Sequence, residues 1–445
     1  MKKILFIILA LSLCIGRINA QKGKHIISSE DISFLSKITS TVIDSSSVLP
    51  GKRVNDSFGP NNTGGTLILP GGRSCYPAFW IRDYALTLDC GLISEDKQLH
   101  MLTLTARTQC MQTWITKNGS LIPFGSIADH VRIDDALPIY FPGTYNFEEQ
   151  GRETWGKMPP YTDQYCFIHM AYIYVKKSGK KNILNKTING YKLIDRLEWA
   201  FKVPPSHKKT HIVYTTKDFR GVDFGFRDAI TILGDLSIAS VFKYRAAKEL
   251  SEMFRELRNS KKASFYSNIA SVLKREIPHI FCNNEGLLIA GTEISRQGDV
   301  WSTALAVYFG ILENKDKEKA CLALAEGYKD KLLSYKGNIR HVMMCDDYNE
   351  STMWEGGGKD KGHYQNGAFW GTPVGWVCYA IAQVDEKAAR ELAMEYINDL
   401  RENDFRKGNK YGAPYECFNK DFTQNPLYLT TVSAPLDVFL KMANH

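Results

Sequence analysis

The chain has 445 residues, 44% hydrophobic and 23% charged, and its 56 Lys and Arg against 48 Asp and Glu give a formal charge of +8. That excess is mild and dispersed, which excludes the concentrated basic stripe of a nucleic-acid-binding protein. Length permits two or three ordinary domains or one large barrel-like unit, and either builds a core that needs no disulfide framework.

Met1-Lys2-Lys3 and the apolar run Ile4 to Leu13 form a short positive region and a hydrophobic segment too short to anchor in a bilayer. The expectation is a signal peptide over residues 1–20, cut after Ala20, and an exported chain, periplasmic or secreted. Cys14 keeps a lipoprotein anchor as the alternative. Without Lys2, Lys3 and Arg17 the +8 becomes +5. No later segment offers an uncharged run long enough to span a membrane.

Of the ten cysteines, Cys14 lies in the leader and the other nine are irregularly spaced. One or two bridges are an open expectation, with Cys75, Cys90 and Cys110 the nearest group. No Cys-x-x-Cys pair is present, and neither a metal nor a cofactor is expected.

From Ser29 onward, apolar residues recur at three- and four-residue spacing. The pattern predicts twelve helices, near Ser29–Ser46, Phe79–Leu92, Glu95–Ile115, Thr162–Lys177, Gly190–Val203, Leu233–Phe254, Arg258–Ile280, Val300–Glu313, Lys315–Leu333, Tyr364–Gln383, Glu386–Asn403 and Leu427–Ala443. Strands are few and short, such as His211–Thr216 and Gly286–Ala290. Twelve helices separated by alternating long and short loops predict six helical hairpins, an inner ring covered by an outer one, as one all-α domain over 21–445. Val300–Ile311 and Phe369–Ile381 have the all-round apolar character of inner helices, and Lys315–Leu333 and Glu386–Asn403 the amphipathic character of outer ones. A solenoid is the alternative, but no fixed repeat supports it.

Two long loops, Gly51–Ala78 and Thr116–Tyr161, carry aromatic, glycine and charged residues, and the second, with Tyr140, Phe141, Tyr145, Phe147 and Trp155, reads as a folded wall over a site. Four clusters fall at loop–helix junctions: Pro70-Gly71-Gly72-Arg73 leading to Trp80-Ile81-Arg82-Asp83; Arg220 to Asp228; Tyr364-Gln365-Asn366 to Trp370, preceded by Trp354 to Gly358; and Tyr411 to Asn419, with Tyr415 and Glu416. Each combines Trp, Tyr or Phe with amide or carboxylate groups. Sugar faces stack on rings, and sugar hydroxyls need paired donors and acceptors. Each cluster taken singly also reads as core aromatics and turns, and Arg220–Asp228 as an ordinary Asp–Arg pair entering a helix.

Hydrolysis of a glycosidic bond needs two carboxyl groups, one protonated and one ionised. The candidate pair is Asp223 and Glu416, with Asp299 and Glu355 in reserve. Burial against Phe224 and Phe226 would keep an acid protonated, whereas a close Arg227 would oppose it, so Arg227 is expected to face sugar hydroxyls and not Asp223. Asp228 is expected to orient Arg227 or cap the next helix.

These stretches resemble a known group. Pro70-Gly71-Gly72-Arg73 with Trp80, and Gly221-Val222-Asp223-Phe224-Gly225-Phe226-Arg227, resemble trehalase signatures, and Tyr364 to Trp370 is similar to a late segment of the same clan. Tyr415-Glu416-Cys417-Phe418-Asn419 is closer to the processing α-glucosidase family. The resemblance implies a six-hairpin (α/α)6 toroid and an inverting glycosidase acting on an α-linked sugar or oligosaccharide end. By it, Asp223 donates the proton, Glu416 activates water, and Arg73, Trp80, Arg82, Asp83 and Arg227 line the subsite, joined by Phe224, Gln365, Asn366, Trp370 and Tyr415. Two other classes remain: a carbohydrate-binding protein without chemistry, and a polysaccharide lyase or unsaturated-uronide hydrolase using Arg296, His363 and Tyr364.

Overall fold

The computed structural model describes residues 26–71, 75–152, 155–348 and 361–443. The expected leader, Arg73, and the Trp354–Gly358 cluster with Glu355 lie outside the described residues. Each predicted helix has one counterpart: α1 Ser29–Ser45, α2 Ile81–Thr87, α3 Glu95–Arg107, α4 Tyr161–Ser178, α5 Leu193–Lys202, α6 Ser237–Glu256, α7 Ser260–Phe281, α8 Val300–Tyr308, α9 Asn314–Lys329, α10 Val374–Ile381, α11 Glu386–Glu402 and α12 Leu429–Ala443.

Burial separates them into two kinds. All seven residues of α2 are buried, as are the first eight of the nine in α8, whereas α7, α9 and α11 bury one stripe each. The even-numbered helices pack in sequence, α2 on α4, α4 on α6, α6 on α8, α8 on α10 and α10 on α12, and α12 returns to α2. The odd-numbered helices cover them: α1 lies on α12, α3 and α5 on α4, α7 on α6, α9 on α8 and α10, and α11 on α10. A helix enclosed by others needs apolar residues all round, and a covering helix needs only one apolar face. This explains the two sequence patterns.

Five predicted helices begin or end differently where a strand takes part of the run; Tyr191–Lys192 and Gly234–Asp235 are strands that precede α5 and α6, and three further cases show what decides the outcome. Ala78–Trp80 is a strand paired with His130–Arg132, Trp114–Ile115 pairs with Leu121–Ile122, and Phe369–Trp370 sits between Asn338–Ile339 and Tyr415–Phe418 in a five-stranded antiparallel sheet. A short apolar run fits either a helix or a buried strand, and partners remote in sequence decide between them. Cys75, Cys90 and Cys110 are free thiols, so the nearest expected bridge does not form. Among the described residues no helix is long and apolar enough to cross a membrane.

Candidate active site

The starts of the even-numbered helices gather the polar groups. Arg82 and Asp83 lie in the first turn of α2 and Asp163 in the first turn of α4. Arg82 Nη1 is 3.2 Å from both Asp163 Oδ1 and Asp129 Oδ1, and its Nη2 is 3.7 Å from Asp83. One buried guanidinium thus faces three buried carboxyls. Burial raises the pKa of Asp163, Arg82 opposes that, and the neighbouring acids Asp129 and Asp83 leave it well above the usual carboxylate range. Burial alone would also raise Asp129, but His130, 2.8 Å from its Oδ2, and Arg82 hold it below its ordinary value. The strand pairing that places Trp80 opposite His130 stacks their rings 4.3 Å apart.

Glu416 lies on the strand Tyr415–Phe418 and is 2% exposed. Tyr76 Oη reaches both of its oxygens, at 3.0 and 2.9 Å, Tyr364 Oη donates to Oε1 at 3.3 Å, and Asn425 Nδ2 donates to Oε2. Burial pushes its pKa up to about 8; Asn425, Tyr76 and Tyr364 pull the other way, and the charge of Asp83 adds to the rise. Tyr428, the residue before α12, donates to Asp83 Oδ1 at 2.6 Å. Glu416 and Asp83 are thereby joined through a layer of tyrosines.

The loop holding Asp223 and Asp228 closes over Arg82. Gly225 lies so close that a Cβ there would stand 1.9 Å from Arg82 Nη1. Asp228 Oδ1 accepts from Gln365 Nε2 at 2.8 Å, and no described residue hydrogen-bonds its Oδ2. Gln365 Oε1 in turn accepts from the Ala229 N–H at 2.8 Å, fixing the amide. Burial raises Asp228 to about 6 against the pull of Gln365 and Arg82. After burial, the charges of Glu416 and then Asp228 are what raise the Tyr364 phenol, so both acids lie within electrostatic reach of one ring.

With this geometry established, comparison with known proteins adds the fold. No protein-family model matches the chain, and no curated protein does. Among solved structures, a rhamnosidase from Klebsiella oxytoca with rhamnose bound aligns with TM-score 0.56 at 11% identity, over 94% of this chain and 65% of that one. A GH78 family rhamnosidase of Bacillus sp. GL1 aligns with TM-score 0.54 at 10% identity, over 93% of this chain and 35% of that one. The likeness is one of fold. This chain spans about two thirds of the first neighbour and about one third of the second. Both are rhamnosidases, not members of the trehalase or processing α-glucosidase families whose motifs the sequence resembles.

The structure brings Trp80, Arg82, Asp83, Gln365 and Glu416 into or beside the cluster, and it places other predicted residues elsewhere. Arg227 does not face outward: it is fully buried, with Nε 3.1 Å from Asp223 Oδ2 and Nη1 on Asp299. Burial of three charged groups together leaves the cation no better partner than the two acids. Asp223 Oδ1 also accepts from the Phe224 N–H at 2.7 Å, so donors engage both of its oxygens. Burial raises its pKa while Arg227 opposes the rise. Asp299, the reserve acid, caps α8, accepting from the Trp301 and Ser302 N–H groups at 3.0 and 3.1 Å.

Asp228 neither bonds Arg227 nor caps the next helix, which begins nine residues later at Ser237. Phe224 and Trp370 are fully buried, in one aromatic core with Phe226 and Trp301. Asn366 is buried at the turn its N–H makes with His363 O, and the Tyr415 carbonyl accepts from Thr431.

Sequence reading missed Tyr76, Asn425, Tyr428, Asp129, His130 and Asp163 as site residues. Asp163 follows Pro160 at a helix start, and Asp129-His130 lies in the loop read as a wall, so position gave some signal for these. His207 Nε2 meets Asp235 at 2.6 Å, and no group of three or more His, Cys, Asp or Glu that could hold a metal ion occurs among the described residues.

Proposed function

We propose that the protein is a glycoside hydrolase on an (α/α)6 toroid that cleaves an α-linked sugar with inversion, using Asp228 as the acid and Glu416 as the base. The closed circuit of even-numbered helices and the likeness to rhamnosidases support the toroid. The observation that carries the reaction is the contrast between the surroundings of two carboxyls, Glu416 and Asp228. Glu416 is surrounded by donors, the setting of an ionised base that orients a water. Asp228 has one oxygen held by Gln365 and the other unengaged by any described residue, so Oδ2 can hold a proton and deliver it to a leaving oxygen. Asp223, the acid that the sequence motif suggests, has both oxygens saturated by donors and serves in this reading as an anchor for Arg227.

The reactive form needs Asp228 protonated and Glu416 ionised. With values of about 6 and about 8 this form is a minority, and its share is level between them and falls on either side. Strength compensates, since the base is then the stronger base and the acid the stronger acid. In this reading Arg82 and Asp83 bind sugar hydroxyls, with Trp80 as the stacking face. The leader-like N-terminus supports export.

The test is a panel of natural and nitrophenyl glycosides, α-L-rhamnosides first, with the product anomer read by NMR. Release of the inverted anomer is expected. Glu416→Gln should abolish turnover of all substrates, whereas Asp228→Asn should retain turnover of a dinitrophenyl glycoside, whose leaving group needs no acid. If Asp223→Asn shows that leaving-group rescue and Asp228→Asn does not, the acid is Asp223. No turnover of any glycoside would remove the hydrolase reading and leave a binding protein.

A further inference from the structure

The same helices form a second constellation at their other ends. Asp89 follows α2, Tyr308 ends α8 and Lys441 lies in the last turn of α12; with the middle of α4 and α6 they enclose a cavity of about 410 Å³. Arg245 of α6 lines it, its guanidinium 4.8 Å from the Phe242 ring centre and 5.3 Å from that of Phe309. The side chain is only 11% exposed, yet no described residue accepts a hydrogen bond from it, and its Nε and Nη2 are buried without a partner. Among the described residues, the one carboxylate within ion-pair reach is Glu249, whose Oε1 stands 3.8 Å away and already accepts from His169 Nδ1 at 2.6 Å.

The other acids here are also engaged. His169 Nε2 meets Asp89 at 3.0 Å, and although burial and Arg245 lower the His169 pKa, Asp89 and Glu249 raise it further, so the ring is shared by those two acids. Glu252 accepts from Tyr172 Oη at 2.8 Å and pairs with Lys176 at 3.4 Å, and Asp437 pairs with Lys441 at 2.8 Å. Lys177 donates to Leu88 O at 2.7 Å and so offsets the negative end of the short helix there. Lys248, which also lines the cavity, forms no ion pair among the described residues. Asp89, Glu252 and Asp437 are thus engaged and Glu249 is engaged through Oε1 but not Oε2, while Arg245 makes no hydrogen bond and Lys248 no ion pair among the described residues.

We propose that this cavity is a binding site for a small oxyanion, a carboxylate or a phosphate, with Arg245 as its principal donor and Lys248 as the second cation. A buried guanidinium without acceptors is costly, and its planar fork matches both anions. Tyr172, Tyr244 and Tyr308 supply walls for the body of an organic acid. The site lies at the opposite ends of the helices from Glu416 and does not depend on the proposed hydrolysis.

The test is calorimetric titration of the full chain with sodium phosphate and with sodium glucuronate, against sodium chloride at matched ionic strength. Saturable binding of either is expected, with phosphate alone or glucuronate alone naming the anion. Affinity should fall at least tenfold in Arg245→Gln and several-fold in Lys248→Glu, and Glu416→Gln should bind as the wild type does. Lys248 is on the surface, so its variant decides the matter if Arg245→Gln does not fold. Heats no different from chloride, or unchanged affinity in Lys248→Glu and in any folded Arg245→Gln, would overturn the proposal.

Discussion

Tyr76 bridges both oxygens of Glu416, 340 residues away in the chain, with its Oη 3.0 Å from Oε1 and 2.9 Å from Oε2. A phenol donating to a carboxylate stabilises the ionised form, so Tyr76 holds down a pKa that burial drives up. Removing it in Tyr76→Phe should raise Glu416 above about 8. A hydrogen bond to a charged group is worth about 1.5–3 kcal/mol, and a pKa unit about 1.4 kcal/mol, so the shift should be ~1–2 units. Because the reactive form needs ionised Glu416, kcat/KM at pH 7 should fall ~10- to 100-fold, and the upper limb of the pH profile should move from about 8 toward higher pH.

The same burial makes Glu416 a liability for folding at high pH. Its folded pKa, about 8, stands above the ordinary 4.5, so the folded state holds a proton that the unfolded state releases between these values. The stability this contributes is fully present below pH 4.5 and is lost as pH rises to about 8. Glu416→Gln cannot ionise. It should be more stable than the wild type at pH 8 to 9, with the gap closing toward pH 5, in denaturant titrations across that range.

Among the described residues, Arg227 is the only cation in ion-pair contact with Asp223 and Asp299, which are 3% and 0% exposed. Arg227→Met would leave both acids buried without it. Breaking a buried pair from one side costs about 3–5 kcal/mol, and here the Asp299 cap of α8 is strained as well. Urea unfolding should show a loss of that size. A variant within about 0.5 kcal/mol of the wild type would mean that Arg227 does not hold the two acids in place.

Gly225 is required by proximity. A methyl group at this position would overlap the Arg82 guanidinium, which three acids hold in place. Gly225→Ala should therefore displace the loop that carries Asp228. A shift of about 1 Å at a reacting group can cost ~100-fold in rate. The expected result is a kcat/KM loss of that order, and Asp228→Asn combined with it should add little.

Much of the architecture is legible in the amino-acid pattern. Helical periodicity is local, and it locates all twelve helices because the spacing of apolar residues within each run can be read without its partners. Leu193–Lys202 and Glu386–Glu402 show that face plainly. The loop–helix junctions with aromatic, amide and acidic residues are local too, and they lead to Arg82, Asp83, Gln365 and Glu416. Phe369–Trp370 marks the limit: its apolar run reads as helix, but its strand partners come from Asn338–Ile339 and Tyr415–Phe418.

Sequence by itself determined that the chain is mainly helical, that its inner and outer helices differ in burial, and which loop–helix junctions combine aromatic, amide and acidic residues. Only the tertiary structure decided how the surroundings of the acids differ. Asp223 and Asp228 sit five residues apart on one loop, and Arg227 is near both in sequence. Arg227 saturates the first, together with Asp299, while Gln365, 137 residues from Asp228, holds one oxygen of the second and leaves the other unengaged. A carboxyl's protonation depends on burial and on the charges and donors around it in space. Those neighbours, Tyr76 and Asn425 for Glu416 and Gln365 for Asp228, are assembled only when the helices close upon one another.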